Sequence, residues 1–281
     1  MNMESHTIHK ADKTEELFYF CFNRNVPIID SISSHYPRPY LNLMDTYVAH
    51  RCINIHHIFL TITQCFQTGI DLCSANAFLR IIADHIAILY LIYDNHNSEE
   101  VQLRHYISIA DEINTKVKVL QDLIQKDTIN SFKKCEAIKT IKNESRNKEI
   151  CINTIRSLTI YNSHKETIDC LLKKYNWKYK KLSDYNCKKE QECTYKNYEL
   201  YRDILMIKND YIAYLSNFIH GLAGSVTTNL NEESILTIKT IITFLIVKYS
   251  RFLWSYFKMD PSELEMDYYT ELTSEISEIT A

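Results

Sequence analysis

The chain has 281 residues, 46% of them hydrophobic, and carries 32 Lys and Arg against 35 Asp and Glu for a formal net charge of −3. That balance suits a globular protein with a sizeable core and argues against a largely disordered or membrane-embedded one. Only three glycines and four prolines occur; tight-turned β architectures and glycine-built phosphate loops both need more, so the composition predicts an all-α protein with Asn, Asp and Ser at its joints.

Residues 1–16, MNMESHTIHKADKTEE, are polar and mixed in charge, lack the pattern of a secretion leader and read as a loose N-terminus. Between 17 and 40, Pro27, Pro37 and Pro39 argue against one long helix. From 43 to 67, Val48, Cys52, Ile55, Phe59, Ile62 and Phe66 step by threes and fours along one apolar stripe, and Gly69 ends it. The segment 72–94 is apolar nearly all round, as a central helix is. Tyr106, Ile109, Ile113, Val117, Leu120 and Ile124 form the stripe of a surface helix over 98–125. The charged stretch 128–146 predicts a short helix leading into a second at 148–160. Ser163 and Glu166 have capping-box spacing for a helix running to Tyr175.

Residues 173–196, KKYNWKYKKLSDYNCKKEQECTYK, hold eight lysines against three acids, interleaved with one Trp and four Tyr. Lysines for phosphates and rings for bases make one reading nucleic-acid contact. The other is a solvated connection. A helix is predicted over 197–220 with Ile204, Ile207, Tyr211, Leu215 and Phe218 inward, stopping at Gly221. The last long helix, 232–257, has the near-heptad stripe of a bundle or of a homodimer contact. Residues 259–281 form an acidic C-terminal segment. With no internal repeat or clear linker, the chain reads as a single all-α domain over 1–281, a helical bundle with extra N- and C-terminal helices.

The most apolar run, TIITFLIV at 240–247, is too short to cross a bilayer, so no membrane partner is expected. Nine scattered cysteines without a CxxC pair predict reduced thiols and a cytoplasmic protein. Catalytic motifs with fixed spacing are missing, and no metal or cofactor is expected. What remains is polar groups in apolar places. Arg80 and Asp84 share a face of the apolar helix, either as an intrahelical ion pair or as a fixed guanidinium that holds an anion. On the helix before the glycines, Asn217 and His220 fall near one stripe, flanked by Tyr214 and Ser216. His220 reads as a capping residue or as an acid–base group titrating near neutrality.

Residues 62–94, with a Gly, then Ala, then Leu-Arg, then acidic pattern, together with YIAYLSNFIHG at 211–221, resemble an uncharacterised family of bacterial all-helical proteins. That family in turn resembles the HEPN domains of toxins, phage-defence systems and RNA-cleaving effectors. The resemblance implies metal-independent action on RNA, with His activating a ribose hydroxyl and Arg steadying the phosphate, often at a dimer interface. HEPN ribonucleases carry four to six residues between an Arg and the following His; Arg51 stands so before His56 and His57, and Arg80 before His85. His220 has Ala213, Tyr214 and Leu215 where that Arg would be, which departs from the pattern and leaves Arg80 to supply the guanidinium from another helix. The expected site is Arg80, Asp84, Asn217 and His220, with Tyr214, Ser216 and Gly221 contacting substrate. The alternative is a non-catalytic helical module that binds a protein partner.

Overall fold

The computed structural model describes residues 2–68, 72–126, 130–207, 209–219, 232–259, 262 and 265–270. Every regular element among them is helical, and the only strand-like pairings there are two isolated bridges, Tyr40–Leu43 and Tyr179–Thr194. The fold is all-α. The chain, read above as one domain, divides into two compact units: Met1–Tyr90 with Tyr198–Ala281, and Leu91–Asn197.

The first unit contains α1 (Asn2–His35), α2 (Met44–Thr68), the greater part of α3 (Leu72–Tyr93), α10 (Asn209–Ile219) and α11 (Glu232–Phe257), the last two numbered in chain order after the elements of the second unit. The N-terminus is helical from Asn2, not loose, and α1 passes through Pro27. Proline removes a backbone donor and crowds the preceding turn. Here burial of Cys21, Ile28, Ile29 and Ile32 on either side outweighs that local penalty. The predicted α2 stripe lies inward, with Val48, Cys52, Ile55, Phe59 and Ile62 all fully buried.

Helix α1 packs on α2 and α11, and polar groups pin the contact. The Asn25 side chain donates to Ser250 Oγ at 2.8 Å and accepts from Trp254 Nε1 at 2.9 Å, while Tyr249 donates to the Cys52 carbonyl at 2.8 Å. Residues 73–93 of α3 are long and apolar enough to cross a bilayer by length and composition, and 61% of that stretch is buried within the protein.

The second unit contains α4 (Ser98–Gln125), α5 (Ser131–Ser157), α6 (Thr159–Ser163), α7 (Lys165–Lys174), a 3₁₀ turn (Cys187–Lys189) and α8 (Glu190–Cys193). The side chains of Asn97 and Asn130 cap α4 and α5. Where two helices were expected over 128–160, α5 is continuous: no Gly or Pro interrupts it, and it lies along α4 with a Lys116–Glu144 ion pair at 2.5 Å. Ser163 is the last residue of α6 and cannot cap α7. Helix α7 starts after His164 without a side-chain cap, while α6 is capped from sixty residues away, the Glu99 carboxylate accepting from the backbone N–H groups of Thr159 and Ile160, each at 2.9 Å. Cys170 and Cys187 form a disulfide, against the expectation of reduced thiols throughout.

The Lys- and Tyr-rich segment is held by Arg104, which is 3% exposed. Its guanidinium donates to the carbonyls of Trp177, Tyr179 and Lys180 at 3.3, 2.8 and 3.3 Å and to the Glu100 carboxylate at 3.0 Å. It also stacks 3.8 Å from the ring centre of the fully buried Tyr179. Lys180 N–H donates to the Cys193 carbonyl and Tyr195 N–H to the Lys178 carbonyl, both at 2.8 Å, which pairs the segment with itself.

The continuous helix predicted over 197–220 is broken. Helix α9 (Asn197–Leu200) runs into a π turn at Tyr201–Leu205, Met206 takes a left-handed backbone with φ 60°, and α10 begins at Asn209. Leu215 and Phe218 are buried as expected, but Tyr211 is 37% exposed.

Candidate functional site

Positions 76, 80 and 84 form one stripe along α3, because residues four apart on a helix lie one above the other. At its centre Arg80 is 9% exposed. Its Nη1 lies 2.5 Å from the Asp84 carboxylate, its Nε donates to Ser216 Oγ at 3.4 Å, and its guanidinium carbon stands 4.4 Å from the centre of the Tyr201 ring. The Tyr201 hydroxyl donates to the other Asp84 oxygen. Burial, followed by the adjacent carboxylate, pushes the Tyr201 phenol well above its usual range and keeps it a donor. Ser216 passes the chain on, donating to the Ile212 carbonyl at 2.7 Å. One turn earlier, the fully buried Asn76 donates to the Tyr214 hydroxyl at 3.4 Å.

Of the expected site, then, Arg80, Asp84 and Ser216 meet directly, and Tyr214 joins the same stripe through Asn76. Asn217 has its backbone in α10, and His220 and Gly221 lie outside the described residues. Sequence reasoning missed Tyr201 and Asn76. Tyr201 had no signal, since the π turn that aims it at α3 has no signature in residue type. Asn76 stands four residues before Arg80, so the stripe rule that paired Arg80 with Asp84 would have found it.

The guanidinium of Arg80 is matched by a carboxylate, covered by a ring and bound to a hydroxyl, so the cluster fixes the π turn and α10 against α3. A different arginine meets a histidine. Arg51 on α2 places its Nη1 3.1 Å from His85 Nδ1 on α3, with both side chains half-buried. Arg80 and His85, five residues apart in sequence, therefore turn to different neighbours. Because Arg can only donate, Nδ1 of His85 is the acceptor and the ring proton of the neutral form sits on Nε2. Burial, reinforced by the Arg51 charge and opposed by Asp84, lowers the His85 pKa. His56 is instead buried and stacked on Phe22 at 4.7 Å, and burial lowers it to about 4. Among the described residues, no three or more His, Cys, Asp or Glu side chains converge to hold a metal ion.

No protein family, characterised protein or solved structure matches the chain.

Proposed function

We propose that the protein is an HEPN-like helical protein of defence or toxin type that acts on RNA without a metal ion, with Arg51 and His85 as the reacting pair. The observation that supports this reading is the 3.1 Å contact between a guanidinium and an imidazole that burial keeps unprotonated. A phosphodiester arriving at Arg51 draws its Nη donors onto the phosphate oxygens and releases the Nδ1 lone pair of His85. That nitrogen takes the proton of the ribose 2′-hydroxyl as the 2′-oxygen attacks phosphorus. The bond to the 5′-oxygen breaks, the imidazolium returns the proton to it, and the products are a 2′,3′-cyclic phosphate and a 5′-hydroxyl.

The test is cleavage of a single-stranded RNA in EDTA. His85→Ala is expected to lower the rate about 10²-fold or more, the usual contribution of a positioned acid–base group, while far-UV circular dichroism stays native. Intact RNA after incubation with the wild-type protein, or undiminished cleavage by the folded variant, overturns the reading. A non-catalytic interaction module is the second reading, favoured by the ion pair, hydroxyl and ring that already engage Arg80, and the first of those outcomes would select it.

A further inference from the structure

Charge is divided unevenly between the two units. Residues 91–197 contain 20 Lys and Arg against 15 Asp and Glu, a net +5, so the remainder of the chain carries −8. Within the basic unit the 173–196 segment borders an open groove of about 530 Å³, lined among others by Lys174, Tyr175, Trp177, Lys178, Tyr195 and Lys196. The left-handed backbone at Tyr175, φ 52°, ends α7 and starts the turn that presents these side chains. Each of the three rings has an ammonium beside it: Lys148 at 5.6 Å from the centre of Tyr175, Lys178 at 5.1 Å from Trp177 and Lys180 at 5.7 Å from Tyr195.

The two acids in the groove are already engaged. Asp111 accepts from Trp177 Nε1 at 3.2 Å, which sets the angle of the indole, and Glu190 is bound by Lys174 and Asn176. We infer that this groove is a binding site for single-stranded RNA, with bases stacked on Tyr175, Trp177 and Tyr195 and the intervening phosphates on the lysines.

Rings with ammonium groups beside them supply the two kinds of partner an unpaired strand needs, and every base has a face to stack. A duplex hides those faces in its own stack, so stacked rings favour an unpaired strand over a double helix. An acidic peptide would use the lysines but leave the rings without partners. The inference rests on the proposed function only for choosing RNA over other single strands; it concerns binding in the second unit and is independent of the Arg51–His85 chemistry.

The experiment uses the full chain and a labelled 2′-O-methyl decauridylate, which has no 2′-hydroxyl to react and so reports binding alone. The chain has two tryptophans, and Trp254 is buried and bonded to Asn25, so quenching on titration reads Trp177. Expected are saturable quenching and a slope of log affinity against log salt between about −2 and −3.5, from three to five lysines at roughly 0.7 each. Lys178→Gln with Lys180→Gln and Lys196→Gln should weaken binding at least tenfold and flatten the slope by about 2.

Three results would overturn the site: no binding in 50 mM salt, unchanged affinity in the folded triple variant, or a duplex or deca-glutamate peptide that binds more tightly than the oligonucleotide. Cleavage of ordinary RNA is measured in parallel. Groove-dependent binding without cleavage removes only the reacting pair, whereas His85-dependent cleavage with groove-independent binding removes only this site.

Discussion

Replacing Arg104 by Leu removes a buried cation that ties the Lys- and Tyr-rich segment to α4. Four donor contacts at 2.8–3.3 Å disappear, together with the stacking of the guanidinium 3.8 Å from the Tyr179 ring. A hydrogen bond to a charged group contributes about 1.5–3 kcal/mol and a desolvated cation–ring contact about 2 kcal/mol. Those gross terms exceed the measured loss, because Arg104 must itself be desolvated; breaking one partner of a buried ion pair typically costs about 3–5 kcal/mol. We therefore expect a loss near 4 kcal/mol, concentrated in residues 176–196. Hydrogen exchange reads it most directly at the amides of Lys180 and Tyr195, which bond across the segment. Their protection should fall about 10²- to 10³-fold, since 1.4 kcal/mol corresponds to a factor of ten. Arg104→Lys should recover only part of it, because an ammonium cannot reach three carbonyls and a carboxylate with fork geometry. If the leucine variant unfolds within 1 kcal/mol of wild type with both amides still protected, the anchoring role is wrong.

Two further perturbations address the first unit. Asn25→Ala should cost about 2–4 kcal/mol in urea unfolding, because it leaves the buried Trp254 indole N–H without its acceptor and takes the amide donor from the buried Ser250 hydroxyl; a loss below 1 kcal/mol would place the stabilisation elsewhere. His56, lowered from 6.5 to about 4 by burial, makes stability depend on pH. The unfolded chain takes up this proton below about pH 6.5 while the folded one does so only near pH 4, so the contribution is fully present above 6.5 and is lost as pH falls through that window. The loss is at most about 3.4 kcal/mol, from a lowering of 6.5 to about 4 at about 1.36 kcal/mol per pH unit, and His56→Phe should abolish that part of the acid slope; an identical slope in the variant would exclude His56 as its source.

Periodicity was informative wherever one helix face is apolar. The stripes on α2, α4 and α11 lie inward, and the boundaries of α3 and α4 fall within a residue of those expected. It failed where contacts distant in sequence override local preference. Pro27 stays helical because its neighbours are buried, Ser163 ends up as the last residue of α6, a short helix whose start the distant Glu99 caps, and the long helix expected before Gly221 breaks at a π turn that directs Tyr201 to Arg80. The Arg80–Asp84 pair was readable because it lies within one helix. The Arg51–His85 contact was not, since its partners come from two helices whose relative rotation no spacing rule supplies.

The first unit is discontinuous, being completed only when residues after Tyr198 return to the helices before Tyr90. Asn25 and its partner Trp254 are separated by 229 positions. On a ribosome adding roughly 5–20 residues per second, the opening helices wait about 10 to 45 s for that closing contact. The basic unit, one uninterrupted stretch, emerges whole in the meantime. Nascent chains should accordingly hold a folded insert while its host is still open, which makes the apolar faces of α1 and α2 the natural targets of chaperones during synthesis.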